Sequence, residues 1–244
     1  MPRAIPRWVG PVLILMLLAA GCGPGNGDTA TGVAVPETAA TGAAPGQDGA
    51  SEFVAEVWAD NWFALYVNGE LVGEDSTPIT TERSFNAETI TFTATYPLTI
   101  AIEAKDFKET DSGIEYIGER NQQMGDGGLI AQITDVRTGK VVAVTNSGWR
   151  LKVIHRAPLN PECEKARDPD TACRFERLEA PPGWASADFD DGSWSAATEW
   201  AAADVRPKDG YNKIKWDGAA RLIWGSDLEV DNTILLRLTV EAAA

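Results

Sequence analysis

The sequence predicts an all-β protein built as an antiparallel sandwich, and three observations carry that reading. Short stretches alternate apolar and polar residues with period two, turn residues separate them at regular intervals, and almost no helical period appears. The clearest stretch, Ala59 to Gly73, reads as strand, tight turn and strand. In it Phe63, Leu65 and Val67 alternate with Trp62, Ala64 and Tyr66. Asn68-Gly69 between the two halves is a hairpin signal, because a type I′ turn needs positive φ at both central residues.

The N-terminus precedes any strand. Arg3 and Arg7 form a basic start, and Val12 to Ala20 is an uninterrupted apolar run. That run is far short of the roughly 20 residues a membrane-spanning helix needs, so residues 1–21 are expected to be an export signal. It ends Leu18-Ala19-Ala20-Gly21-Cys22, which resembles a bacterial lipobox. The resemblance implies that Cys22 is lipidated and becomes the first residue after cleavage, an anchor of several acyl chains. Residues 22–51 follow, rich in Gly, Ala, Thr and Pro and without an aromatic residue. Such a segment buries too little surface to offset its ordering entropy, so it is expected to be a tether reaching roughly 30 Å.

Residues 52–244 are one domain's worth of chain, long enough for a sizeable core. With 21 Lys and Arg against 36 Asp and Glu, the net charge is −15, and loss of Arg3 and Arg7 with the signal makes it more negative still. That sign excludes a nucleic-acid binder and disfavours peripheral binding to anionic lipid. Besides Cys22 there are Cys163 and Cys173. In an exported chain the two are expected to form a disulfide, and a lone His155 leaves no metal set around them.

The strands follow in order. Phe53 to Trp58 alternates and opens the domain, and the Asn68-Gly69 hairpin comes next. Glu74 to Ala87 is polar and irregular, with Pro78. From Thr89 to Thr95, Ile90, Phe92 and Ala94 face inward while four threonines face out. After Pro97, Leu98, Ile100, Ile102 and Ala104 make another inward row. Lys105 to Gly125 is a charged excursion without a pattern. Gly127 to Thr134 is expected to pair with Lys140 to Thr145 across a Thr138-Gly139 turn, and Trp149, Leu151 and Val153 mark a further strand. Ile234 to Val240 is the last.

Several of these stretches resemble the galactose-binding-like β-sandwiches, jelly rolls attached to bacterial glycoside hydrolases of the rhamnosidase and β-galactosidase kind. The resemblance rests on Ala59-Asp60-Asn61 with Leu65-Tyr66-Val67-Asn68-Gly69, on Leu98 to Ala104, on Gly127 to Ala131, and on Thr145 to Trp149. It extends to Trp184 with Phe189-Asp190-Asp191-Gly192-Ser193-Trp194, and to Ala220 to Trp224. The last segment often opens such a domain and here closes the chain, an order permitted if the first and last strands lie side by side. The resemblance implies a jelly-roll fold and a turn at Asp190-Asp191 with Phe189 and Trp194 packed beneath it.

A catalytic constellation is not apparent. There is no Gly-x-Ser-x-Gly elbow, and Gly125 to Gly128 precedes a strand rather than a helix. Asp190 and Asp191 are adjacent, so on extended chain they point apart and make a poor acid–base pair. His155 falls on the apolar side of its strand and is expected to be a structural or rim residue. Eight tryptophans follow the signal. Trp216 shares a loop-like stretch with Tyr211 and Asn212, a mixture of rings and amides suited either to stacking a sugar or to pinning the loop. Asp60, Asn61 and Trp62 begin the central hairpin and are further ligand-binding candidates; Asp60 and Asn61 are also the oxygens for a structural calcium. These observations lead to a non-catalytic lipoprotein, tethered to the cell membrane or outer membrane, that binds glycan at the envelope. The alternative is an envelope protein-interaction or structural lipoprotein using the same sandwich.

Overall fold

The computed structural model describes residues 49–242, and the signal, Cys22 and the tether up to residue 48 lie outside them. The strands in chain order are β1 (Ser51–Asp60), β2 (Trp62–Val67), β3 (Glu70–Glu74), β4 (Asn86–Ala94) and β5 (Leu98–Lys105). Then come β6 (Ile114–Glu115), β7 (Gln123–Met124), β8 (Gly128–Asp135), β9 (Lys140–Val144) and β10 (Arg150–Arg156). The last five are β11 (Glu176–Arg177), β12 (Ser195–Ala196), β13 (Thr198–Trp200), β14 (Leu222–Trp224) and β15 (Asp231–Val240). Two four-residue helices, α1 (Pro169–Ala172) and α2 (Ala202–Val205), sit in the loops.

The long strands form two antiparallel sheets facing each other. One runs β13-β14-β8-β1-β4 with β9 added on β8; the other runs β11-β10-β15-β5-β2-β3 with β12 added on β10. A third, two-stranded sheet pairs β6 with β7. The first and last long strands, β1 and β15, therefore lie in opposite sheets rather than side by side. Each is interior to its own sheet: β1 pairs with β4 and β8, and β15 with β5 and β10.

The hairpin forms as its turn residues require. Asn68 and Gly69 have φ of 52° and 90°, and β2 pairs with β3 across them. Asn68 also ties the turn to its neighbours, accepting from Thr99 N–H at 2.8 Å and donating to the Thr95 carbonyl at 3.0 Å. Between the sheets the inward rows meet: Phe53, Ala55 and Val57 of β1, Phe63 and Leu65 of β2, Ile100 and Ile102 of β5, with Ile234 and Leu236 of β15. All are buried, and each large side chain so placed contributes roughly 1.5–3 kcal/mol of transfer free energy.

The outward faces are covered as well, by loops rather than strands. On β1 the pleat turns Trp58 away from the main core, where Val205, Tyr211 and Trp216 pack over it. On β15 Leu235 faces outward beneath Trp184, Phe189 and Trp194. Arg237, buried on that face, binds the loop down: its Nε donates to Asp191 at 2.9 Å and its guanidinium to the carbonyls of Trp184 and Ser186. Asp191 is thus an anchor for this covering segment, with Phe189 and Trp194 edge-to-face 5.6 Å apart under the turn. Trp58, Trp149, Trp200, Trp216 and Trp224 each donate the indole N–H to a backbone carbonyl, at 2.5 to 3.1 Å.

Candidate functional site

At Asn61 the chain leaves one sheet and enters the other, and the functional candidates gather at that end of the sandwich. Asn61 is buried and fully used: its Oδ1 accepts from Phe107 N–H at 2.6 Å, and its Nδ2 donates to the Glu82 carbonyl at 3.1 Å. It ties the irregular Glu74–Ala87 segment to the start of the Lys105–Gly125 excursion. Both segments then wall a cavity of about 550 Å³, with Glu82, Arg83 and Phe85 from the first and Glu115, Tyr116 and Gln123 from the second. Asp126, Arg206, Lys208 and Asp209 complete the lining.

The excursion is therefore an ordered wall. Its two short strands β6 and β7 bring Glu115 and Gln123 opposite each other, and Gln123 Nε2 donates to Glu115 Oε2 at 3.2 Å. Ile114 packs behind, against a disulfide between Cys163 and Cys173. Gln122 donates to the carbonyls of Glu164 and Ala166, at 2.6 and 2.9 Å, fastening the wall to the stapled loop.

Behind the cavity the electrostatics are unusual. Lys208 Nζ bridges Asp60 Oδ2 at 2.9 Å and Asp126 Oδ1 at 2.8 Å, while resting 4.7 Å over the Phe85 ring. Asp60 is 1% exposed, and burial, only partly offset by Lys208, pushes its carboxyl up to about 8. Asp106, at the end of β5, is raised well above the usual carboxylate range by burial and by Glu115. It sits so close to Gly125 that a Cβ there would meet Asp106 Oδ2 at 1.9 Å, which is why the chain has no side chain at that position. Burial also lifts Glu115, to about 7. Burial alone would lower the Lys208 ammonium; Asp60 and Asp126 outweigh it and hold it above its ordinary value.

The structure distributes the sequence candidates over three places. Asp60 lies behind the cavity, and Asn61 fixes its walls. Trp62 faces elsewhere: Lys105 Nζ lies 4.4 Å over its ring, and the indole borders a shallower cleft with Asp75 and Pro78. Tyr211 and Trp216 continue a series of aromatic contacts from Trp58, edge-to-face at 5.7 Å and then tilted at 5.9 Å between centroids, and both are half-buried. Asn212 beside them is exposed. The loop that carries these rings also supplies Lys208 and Asp209 to the cavity, so the two places are adjacent in chain. Among the described residues no group of three His, Cys, Asp or Glu side chains is arranged to hold a metal ion.

His155 follows a register shift in β10, between Val153 and His155, which breaks the alternation that put it in line with Leu151. It is buried, stacks on Phe175 at 6.0 Å, and lies 3.5 Å from Asp111. Burial pushes the imidazole down to about 4, and it is neutral at ordinary pH. Glu82, Phe85, Glu115, Tyr116, Asp126 and Lys208 were beyond the sequence pattern. Glu115 and Tyr116 carried one signal, a long polar excursion between two strong strands, and Glu82 and Phe85 lay in the irregular Glu74–Ala87 segment; Lys208 carried none.

No family model, no curated protein and no solved structure matches this chain.

Proposed function

We propose that the protein is a non-catalytic binding lipoprotein, tethered at the bacterial cell membrane or outer membrane, that recognises glycan at the envelope through the cavity beside Asn61. A galactose-binding-like sandwich on a lipid anchor is the type of molecule this describes. The observation that carries the reading is the composition of the cavity. An open space of about 550 Å³ sets two rings, Phe85 and Tyr116, among planar or forked polar groups: Glu82, Arg83, Glu115, Gln123, Asp126 and Arg206. Sugars need that mixture, apolar surface for their CH faces and directed acceptors and donors for their hydroxyls.

The carboxyl groups support binding rather than catalysis. Glu115 is held by Gln123, Asp126 by Lys208, and Glu82 accepts from Tyr116 N–H at 3.2 Å, so each has a fixed partner. The reading needs no calcium, because Lys208 supplies the positive charge at Asp60 and both amide atoms of Asn61 are engaged. Among the described residues no helix is long and apolar enough to cross a membrane; the attachment in this reading is through Cys22.

The test is a glycan array followed by titration of the best hit against Tyr116→Ala and Trp216→Ala. Tyr116→Ala is expected to weaken binding by about ten-fold while the melting temperature holds, since one lost ring contact is worth on the order of 1 kcal/mol or more. If Trp216→Ala alone abolishes binding, the ligand lies on the Tyr211–Trp216 loop instead. A folded protein with no hit on the array moves the assignment to an envelope protein partner.

A further inference from the structure

The Glu74–Ala87 segment walls more than the cavity beside Asn61. Its first half borders a separate open cleft of about 480 Å³, which shares no lining residue with that cavity. Trp62, Pro78 and Ile79 give the cleft an apolar side, and Glu74, Asp75, Ser76 and Lys105 a polar one. Ser76 is engaged within the protein, since its N–H and its hydroxyl both donate to Glu88.

Asp75 is not fully engaged. It is 4% exposed, and its Oδ1 accepts from Thr77 N–H at 2.7 Å, a bond that shapes the turn. Its Oδ2 has no hydrogen-bond partner. A turn-capping aspartate can keep its second oxygen in water; an enclosed one without a donor costs free energy. Burial lifts the Asp75 carboxyl to about 6, so near neutral pH it is mainly ionised and can only accept. Across the same lining, Lys105 Nζ is paired to Glu103 at 3.0 Å and rests 4.4 Å over the Trp62 ring. An ammonium has three N–H groups, so donors remain beyond the one Glu103 takes.

An open acceptor and an open donor beside one apolar wall are complementary to a group that donates and accepts without carrying charge. A hydroxyl is such a group. An anion in the cleft would face Asp75 and Glu74, and a cation would face Lys105. A pyranose brings several hydroxyls together with a CH face for Trp62, Pro78 and Ile79. We infer that this cleft is a second sugar subsite, taking a neutral pyranose whose hydroxyls donate to Asp75 Oδ2 and accept from Lys105 Nζ. The inference rests on the reading that the ligand is a glycan, and not on its placement in the cavity beside Asn61.

The experiment titrates the full chain with neutral tetrasaccharides of glucose, mannose and galactose, and with tetragalacturonic acid. Binding is followed through the indole N–H signal of Trp62 in NMR spectra, assigned by its loss in Trp62→Phe. At least one neutral series is expected to shift that signal, with the uronate about ten-fold weaker or more. Asp75→Asn keeps an oxygen for the Thr77 bond and is expected to weaken the binding that the signal reports by about ten-fold, as loss of a charged acceptor does. The shift in the unsubstituted protein needs no variant to fold. A neutral sugar that binds without moving the Trp62 signal overturns the inference and leaves the glycan reading standing. So does an affinity at Trp62 that survives Asp75→Asn, or a uronate bound as tightly as the neutral sugars. If the Trp62 signal moves and Tyr116→Ala changes no affinity, the subsite stands and the placement in the cavity falls. If none of the sugars binds, both fall.

Discussion

Lys208 is the residue on which the site's charge balance turns. Its ammonium stands between Asp60 and Asp126, and the first of these is nearly inaccessible to water. Removing one partner of a buried pair leaves the other charge uncompensated, so Lys208→Met is expected to destabilise the fold by up to about 3 kcal/mol in denaturant titration, less where Asp60 takes a proton instead. The buried carboxyl groups also set a pH dependence whose sign is fixed. Asp60 rises from 3.8 to about 8 and Glu115 from 4.5 to about 7, so the folded protein holds these protons more tightly than the unfolded chain. Their stabilisation is full below about pH 4 and is lost as the pH rises through about 7 to 8. His155 works the other way: lowered from 6.5 to about 4, it costs stability as the pH falls through that interval. Between pH 8 and 6.5 the carboxyl groups act alone, and the melting temperature is expected to rise by a few degrees on acidification. Asp60→Asn should flatten that rise; an unchanged slope would show that the protons are taken up elsewhere.

The elements divide into those that alternation makes legible and those it does not. β1, β2, β4, β5, β8 and β15 are visible in the sequence because one face of each is apolar and buried against the opposite sheet, so Phe53, Leu65, Phe92, Ile102, Ile133 and Leu236 recur at period two. β6 and β7 are two residues long, and the apolar support under them comes from a disulfide about 40 to 60 residues later, which no local window contains. The cavity belongs to this second kind: its wall is stabilised by Gln122 side-chain bonds to a distant backbone and by Asn61. Trp216 was ambiguous for a related reason, since the surface it covers, Trp58, is on the far face of a strand 158 positions earlier. The structure packs it there half-buried, so Trp216→Ala is expected to cost about 2 kcal/mol in a denaturant melt, below the 3–5 typical of a fully buried ring. Reduction of Cys163–Cys173 is expected to cost on the order of 2–3 kcal/mol and, because the stapled loop carries the β6–β7 wall, to weaken ligand binding before global unfolding. Titrating the best array hit with and without reductant, at a temperature where the fold persists, checks the second effect. Equal affinities would mean that the wall stands without its staple.

For the molecule as a whole, the position of the cavity relative to the proposed anchor at Cys22 would decide what it can reach. The chain enters the sandwich at Ser51, the first residue of β1, and β1 ends nine residues later at Asp60 behind the cavity. At about 3.3 Å per residue the strand separates the two by roughly 30 Å, so the cavity opens at the end of the domain away from the attachment point. A chain with net charge −15 is repelled by anionic headgroups, so if the proposed anchor holds, the cavity end would face away from the lipid. Anchoring and recognition should then be separable. Cys22→Ser is expected to release the protein from the membrane fraction or leave the precursor unprocessed, while the affinity of the purified protein for the best glycan hit stays within about two-fold, since nothing at the cavity depends on the acyl chains. Binding to whole cell envelopes should fall much more, because on the proposed reading the tether would hold the domain at a high effective concentration of surface glycan. If the purified variant loses its affinity too, the anchor end contributes to the site and the geometry of an outward-facing cavity is wrong. If the variant stays membrane-bound and a mature N-terminus is found elsewhere by intact mass, attachment does not run through Cys22.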